Sequence, residues 1–141
     1  MKYPFPQIPF YFLRHGETDH NVNKIYDDFA EVHLNETGKR QAYDVQNLFQ
    51  TTQISTVCSS PLLRVQQTKA IVFENKIIQN NVILDDFKEC PGALWHLFLA
   101  FENRELKTHE WELIDEFLNR VRNGLIKALE FELVNVTKSY K

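Results

Sequence analysis

One short segment near the start of the 141-residue chain, Arg14-His15-Gly16-Glu17-Thr18, combines side chains that suit phosphoryl transfer. That reaction spreads negative charge over the equatorial oxygens of the phosphoryl group, so its catalyst needs cations and hydrogen-bond donors around the phosphorus. Arg14 offers a planar guanidinium fork that fits phosphate, and the imidazole of His15 can attack phosphorus and hold it covalently. Gly16 lets the backbone pass close to the anion. The segment therefore predicts a phosphate site with a histidine nucleophile.

Two further side chains are candidates for the same site. Asn21 can add a neutral amide donor. Arg64 lies in a predicted helix just after a predicted strand, from where it can reach the carboxyl edge of the sheet. Simpler interpretations stay open, because Arg14 and Arg64 could be surface ion-pair partners. Asn21 could be a turn residue. Glu17 could orient the pocket, or it could be a solvated or structural carboxylate.

A strand is needed to hold the motif. Ile8–Leu13 is a short continuous apolar run, which is typical of a buried parallel strand, and it ends directly at Arg14. In open α/β sheets, ligands bind at the carboxyl ends of the strands. This assignment places the motif at such an end.

Helix and strand patterns alternate along the rest of the chain. Further strands are predicted at Ile54–Cys58, at Val82–Leu84 after a turn at Asn80-Asn81, and at Leu133–Val136. Helices are predicted at Glu36–Phe49 with Asn35 as N-cap, from Pro61 to Phe73 with Ser60 as N-cap, at Leu94–Phe101 after a break at Pro91-Gly92, and at Trp111–Phe131. Gly124 should weaken the last helix by roughly 1 kcal/mol relative to alanine. The alternation predicts one α/β domain over residues 1–141, with a mainly parallel sheet covered by helices on both faces.

The composition limits the class of protein. With 43% hydrophobic residues and a formal net charge of −3, the chain can bury a core but lacks the basic surplus of a general nucleic-acid-binding protein. Its two cysteines, Cys58 and Cys90, provide neither a disulfide framework nor metal-ligand spacing. No apolar run reaches transmembrane length. We expect a soluble cytoplasmic protein without a nucleic-acid or membrane partner.

Four ordered blocks resemble the histidine phosphatase superfamily, the phosphoglycerate mutase-like proteins. The blocks are Arg14–Thr18 with Asn21, Leu34–Ala42, Ser59–Arg64 with Gln67-Thr68, and Glu89 three residues before Gly92. The resemblance covers nearly the whole chain, and four blocks in the right order are far more specific than a lone Arg-His-Gly tripeptide.

The resemblance implies a phosphatase that needs neither metal nor cofactor and acts on a small phosphorylated substrate. His15 would become phosphohistidine, and Glu89 would protonate the leaving oxygen as general acid. Arg14, Asn21 and Arg64 would bind the phosphate. A mutase is less favoured, because a mutase must shield its intermediate from water.

The tail of the chain departs from the family pattern. The family has a late strand followed by His-Gly, and that histidine neighbours the nucleophile, whereas Leu133–Lys141 contains neither residue type. The resemblance therefore implies a C-terminally truncated domain and an impaired phosphatase, because losing one transition-state donor costs roughly 10²–10³ in rate. The alternative is a catalytically inactive member that binds phosphate or a protein partner. A missing strand would also expose a sheet edge, which predicts a homodimer through that edge.

Overall fold

A computed structural model of the protein describes residues 10–25, 31–88 and 115–129. The strands in these ranges are β1 (Thr56–Ser59) and β2 (Asn80–Ile83). The helices are α1 (Asp19–Val22), α2 (Glu36–Leu48) and α3 (Leu63–Val72), followed by a 3₁₀ turn at Asp85–Phe87. Residues 115–129 are also helical.

The two strands form a parallel pair with α3 as the crossover between them. Thr56 lies opposite Asn80 and Ser59 lies opposite Ile83. The pairing continues past the strand ends, because Leu84 N donates to Ser59 O at 2.9 Å. Parallel strands need such a crossover connection, so this β1-α3-β2 unit confirms the predicted α/β class with a parallel sheet.

Helix α2 begins where the sequence predicts. Asn35 is its N-cap, with an extended backbone and a side-chain oxygen that accepts from Gly38 N at 2.8 Å. Its buried face centres on Ala42 and packs against α3, where Gln46 Nε2 donates to Ile71 O at 2.6 Å. Leu48 at the end of the helix is exposed, so the buried face does not extend over the last turn.

The predicted strand Ile8–Leu13 is wrong over its described part. Residues 10–13 adopt no regular secondary structure, and their side chains are exposed. Strand geometry is maintained by hydrogen bonds to a neighbouring strand, and within the described ranges no backbone hydrogen bond reaches residues 10–13. An apolar run therefore predicts the tendency to form a strand but cannot supply its partner.

Several boundaries also differ from the prediction, and strand β1 is Thr56–Ser59 rather than Ile54–Cys58. Asn80 and Asn81 form the start of β2 rather than a turn, since their side chains find partners in Thr56 Oγ1 at 3.2 Å and Lys69 Nζ at 3.0 Å. Helix α3 begins two residues later than Pro61, with Leu62 as N-cap. Gln66 Nε2 donates a hydrogen bond to the Ser60 carbonyl at 2.6 Å. This bond holds Ser60 in front of the first residue of the helix.

The 115–129 helix packs on the 3₁₀ turn at Gly124. A Cβ on Gly124 would lie 2.7 Å from Asp86 Cβ and 2.8 Å from Phe87 Cε1, closer than packed carbon atoms approach. The missing side chain therefore lets the helix and the turn meet. This helix confirms the central part of the predicted Trp111–Phe131 helix.

Other predicted features lie outside the described residues. These are Pro91-Gly92, the Leu94–Phe101 helix, the Leu133–Val136 strand, and the ends of the Trp111–Phe131 helix. None of the described helices has the length and the apolar character needed to span a membrane.

Gly124→Ala tests the close approach of helix and turn. In an exposed helix this change would stabilise the protein by about 1 kcal/mol, whereas overpacking costs about 1–3 kcal/mol. Because the new methyl group would meet Asp86 and Phe87, we expect a net fall in the free energy of unfolding, measured by urea denaturation. Asn123→Ala on the exposed face of the same helix is the control and should not destabilise. A stabilised Gly124→Ala protein would contradict this packing.

Candidate active site

The loop that carries the motif is tied to α3 through one buried hydroxyl. Gly16 N donates to Thr68 Oγ1 at 3.0 Å, and the Thr68 hydroxyl donates to Arg64 O at 2.8 Å. Thr68 is only 4% exposed. The relay therefore connects the loop of His15 to the helical turn that carries Arg64.

The same loop contacts the start of α2 backbone to backbone. A Cβ on Gly16 would collide with the main chain of Gly38, at 2.8 Å from its carbonyl carbon, and a Cβ on Gly38 would lie 2.7 Å from Glu17 N. Only glycine at both positions allows this approach. Gly16 is thus required for contact with a helix, whereas the sequence suggested contact with an anion.

Polar side chains of α2 and its cap fix the next residue of the loop, Glu17. Its backbone N donates to Gln41 Oε1 at 2.8 Å, and its carboxylate accepts from Asn35 Nδ2 at 3.0 Å. Its carbonyl accepts from Asn35 N at 3.0 Å. Glu17 is therefore a structural carboxylate that joins the loop to the cap of α2, one of the roles left open by the sequence.

The imidazole of His15 has a defined orientation. Its Nδ1 lies 2.7 Å from Gly16 O, and a carbonyl can only accept, so the geometry requires a proton on Nδ1. In the neutral ring this leaves the lone pair on Nε2. His15 is half-buried. A half-buried imidazole that is held in one orientation suits the candidate nucleophile.

Asn21 caps the short helix α1 from within. Its Oδ1 accepts from Thr18 N and from Thr18 Oγ1, each at 3.0 Å, while Asn21 N donates back to Thr18 Oγ1 at 3.2 Å. Thr18-x-x-Asn21 is thus a capping box. This spacing is a signal in the sequence from which the start of α1 could be predicted. The two N–H groups of Nδ2 are the part of Asn21 that could donate to an anion.

The two arginines differ in burial. Arg14 is exposed beside the half-buried His15, whereas Arg64 is 7% exposed in the first turn of α3. Buried guanidinium groups are rare without partners, which argues against the simple surface role for Arg64. Glu89 lies outside the described residues.

Gln67, next to Thr68 on α3, contacts the segment that precedes α2, and the sequence predicts no separate role for either residue. Gln67 Oε1 accepts from Leu34 N at 2.8 Å, and its Nε2 lies 2.9 Å from His33 Nδ1. Because Gln67 and Thr68 share one side of α3 with Arg64, spacing of three and four residues could have indicated a common face.

The surroundings of Lys69 on α3 shift the pKa of its ammonium group. Burial lowers the pKa of Lys69, whose ammonium contacts Ser59 Oγ at 3.3 Å and Asn81 Oδ1 at 3.0 Å. Within residues 10–25, 31–88 and 115–129, no group of three or more His, Cys, Asp or Glu side chains is arranged to hold a metal ion.

Comparison with known families agrees with this arrangement. The family model of the histidine phosphatase superfamily (branch 1) matches residues 10–129. The chain belongs to this superfamily. The resemblance carried by the sequence blocks is thereby confirmed.

Several curated proteins are similar to this chain over part of their length. Agropine synthesis reductase of Rhizobium rhizogenes is 45% identical over 136 residues, which cover 84% of this chain and 30% of the relative. An uncharacterized phosphatase of Bacillus subtilis is 33% identical over 121 residues, which cover 82% of this chain and 62% of the relative. A broad-specificity phosphatase of Saccharomyces cerevisiae is 35% identical over 75 residues, which cover 52% of this chain and 33% of the relative. The chain spans less than two thirds of each of these relatives.

A solved structure gives the same fold. The crystal structure of a candidate alpha-ribazole-5'-P phosphatase from Escherichia coli superposes with a TM-score of 0.51 and 28% sequence identity. The superposition covers 55% of this chain and 37% of that chain. It confirms the predicted phosphoglycerate mutase-like α/β fold.

Thr68→Val tests the hydroxyl relay. The valine keeps the shape of threonine but leaves the buried Gly16 N–H without its acceptor, so the free energy of unfolding should fall by about 1–3 kcal/mol. Thr68→Ser keeps the hydroxyl and is the matched control, with a smaller expected loss. Urea denaturation measures both. Equal losses for the two variants would show that the methyl group matters and the hydroxyl does not.

Proposed function

We propose that this protein is a phosphomonoester phosphatase that acts through a phosphohistidine intermediate on His15. The observation that carries the proposal is the hydrogen bond from Nδ1 to Gly16 O, which directs the nucleophilic lone pair to Nε2. The second support is the relay through Thr68, which holds this loop against the helix of Arg64.

The proposed reaction has two steps. The Nε2 lone pair of His15 forms an N–P bond while the bond from phosphorus to the leaving oxygen breaks, and Glu89 donates its proton to that oxygen. Water then attacks phosphorus, gives its proton to the Glu89 carboxylate, and releases inorganic phosphate and free His15. Arg14, Arg64 and Asn21 Nδ2 stabilise the phosphoryl oxygens in both steps.

The names of the relatives support hydrolysis rather than another chemistry. The relatives of Bacillus subtilis and Saccharomyces cerevisiae are both called phosphatases. The similarity to agropine synthesis reductase covers only 30% of that protein, so its reductase name is no argument for the activity of this chain. The substrate we infer is a small phosphorylated molecule, and we favour hydrolysis over phosphate return to the substrate.

The alternative function is an inactive family member that binds phosphate or a protein through the same arginines. Turnover separates the two.

His15→Ala should lower p-nitrophenyl phosphate hydrolysis by at least about a hundred-fold, because it removes the nucleophile. Rapid acid-free quenching with ³²P-labelled substrate should trap labelled wild-type protein and no labelled variant. Equal background turnover in both proteins would contradict the proposed phosphatase activity and would favour the phosphate-binding alternative.

Arg64→Ala should raise KM and lower kcat in the same assay, since in the proposed mechanism the guanidinium binds the phosphate in the ground state and binds it more strongly in the transition state. Arg40→Ala is the matched control, because Arg40 lies on the exposed side of α2 with Nη2 3.4 Å from Thr37 Oγ1. Arg40→Ala should leave both constants unchanged.

We further propose a homodimer through the segment of residues 10–13. Its aromatic and aliphatic side chains are exposed, with Phe12 at 75%, and its backbone is not hydrogen-bonded within the described ranges. A second copy offers the same segment, and two such segments can pair antiparallel about a twofold axis.

Phe12→Lys tests the dimer by light scattering. Two lysines brought together at the paired segment would repel, so the variant should be monomeric while the wild type is dimeric. Ile77→Lys, at a residue 92% exposed elsewhere on the surface, is the control and should stay dimeric. A monomeric wild type would contradict the proposal.

A further inference from the structure

The peptide unit that joins Gly16 to Glu17 is hydrogen-bonded at both of its polar ends. Its carbonyl oxygen, Gly16 O, lies 2.7 Å from His15 Nδ1, and its amide, Glu17 N, donates to Gln41 Oε1 at 2.8 Å. A trans peptide unit is planar, and its C=O and N–H bonds point in opposite directions. The ring of His15 and the side chain of Gln41 therefore contact opposite ends of one rigid group.

The donors along this series of contacts follow from the chemistry of each atom. A backbone N–H can only donate, so the atom of Gln41 that faces Glu17 N is the side-chain oxygen. A carbonyl can only accept, so His15 carries a proton on Nδ1. The hydrogen bonds thus run in one direction, from His15 through the peptide unit to Gln41, and each one polarises the next.

Glu17 is kept close to Gln41 by its other polar groups. Its carbonyl accepts from Asn35 N at 3.0 Å, and its carboxylate accepts from Asn35 Nδ2 at 3.0 Å. Gln41 follows Gly38 by three residues, so both lie on the face of α2 that the loop contacts. The orientation of the peptide plane after Gly16 is therefore set by α2 and its cap.

We propose that Gln41 is a positioning residue for His15, a role that rests on the proposed function of His15 as the nucleophile. Gln41 holds the peptide plane so that Gly16 O meets Nδ1–H, which keeps the proton of the neutral ring on Nδ1 and off Nε2. Without this acceptor the peptide plane can rotate away from the ring, and the tautomer protonated on Nε2 gains population. That tautomer has no lone pair on Nε2 with which to attack phosphorus.

Nitrogen NMR of the imidazole tests this role without any turnover. Long-range proton–nitrogen spectra of ¹⁵N-histidine-labelled protein distinguish the two neutral tautomers, and the signals of His15 are those that disappear in His15→Ala. The wild type should be protonated on Nδ1. Gln41→Met keeps the length of the side chain but removes the acceptor, so it should shift the population toward Nε2–H. Gln41→Glu keeps an oxygen acceptor and should restore Nδ1–H.

The same variants should differ in the phosphoryl-transfer step. A single turnover of p-nitrophenyl phosphate at saturating enzyme measures that step apart from substrate binding. Gln41→Met should lower its rate constant about two- to ten-fold, the range that the loss of one hydrogen bond accounts for. Gln41→Glu should recover most of the rate, because the acceptor for Glu17 N is present again.

Gln46→Met is the matched control, because Gln46 is a second glutamine of α2 and its amide donates to Ile71 O of α3. It should lower the free energy of unfolding, measured by urea denaturation, but leave the tautomer of His15 and the rate constant unchanged. An equal tautomer shift in Gln46→Met and Gln41→Met would show a general loosening of α2 and overturn the positioning role. If Gln41→Met does not fold, Gln41→Ala takes its place, since alanine is the strongest helix former at an exposed position.

The outcomes separate this role from the proposed function. An unchanged tautomer in Gln41→Met overturns the positioning role, while loss of turnover in His15→Ala still supports the phosphatase. A tautomer shift in Gln41→Met, in a protein without turnover that depends on His15, overturns the phosphatase and leaves the control of the imidazole by Gln41 standing. A wild-type His15 protonated on Nε2 instead of Nδ1 overturns both.

Discussion

The hydroxyl of Thr68 is the constraint on which the site depends. It accepts from the backbone N–H of Gly16 and donates to the carbonyl of Arg64, so one buried group makes hydrogen bonds to the loop of His15 and to α3 together. A buried N–H without a partner costs about 1–3 kcal/mol, which makes separation of the two elements unfavourable. Since α3 is also the crossover between β1 and β2, the relay connects the loop to the sheet itself.

The loop is held from its other side by α2, through a different kind of contact. Gly16 and Gly38 bring the two backbones together, and Gln41 accepts from Glu17 N. Hydrogen bonds orient the loop, while the glycines set its distance from the helix. The residues that follow His15, Gly16 and Glu17, are thus held between α3 and α2 without any ligand. Such a prearranged backbone is a condition for preorganised catalysis.

Much of this could be predicted from local signals. The Arg-His-Gly motif, the Asn35 cap and the parallel β1-α3-β2 unit each follow from residue types at short spacing. The failures concern contacts between distant residues. Strand formation at residues 10–13 depends on a neighbouring strand, which the run itself does not contain. The start of β2 at Asn80 depends on a side-chain acceptor in the paired strand. Thr68 and Arg120 contact backbone atoms, which have no signature in the sequence.

Gly38 has a consequence for how the site becomes ordered. It sits in the first turn of α2, where glycine is a weak helix former by about 1 kcal/mol, and the space above it is filled by the backbone of Glu17. That turn gains its stability from docking with the loop, so the two should open and close as one cooperative unit. Amide hydrogens of the loop and of the α2 start would then exchange with solvent together, and a phosphate held by the loop would protect a helix that it never touches.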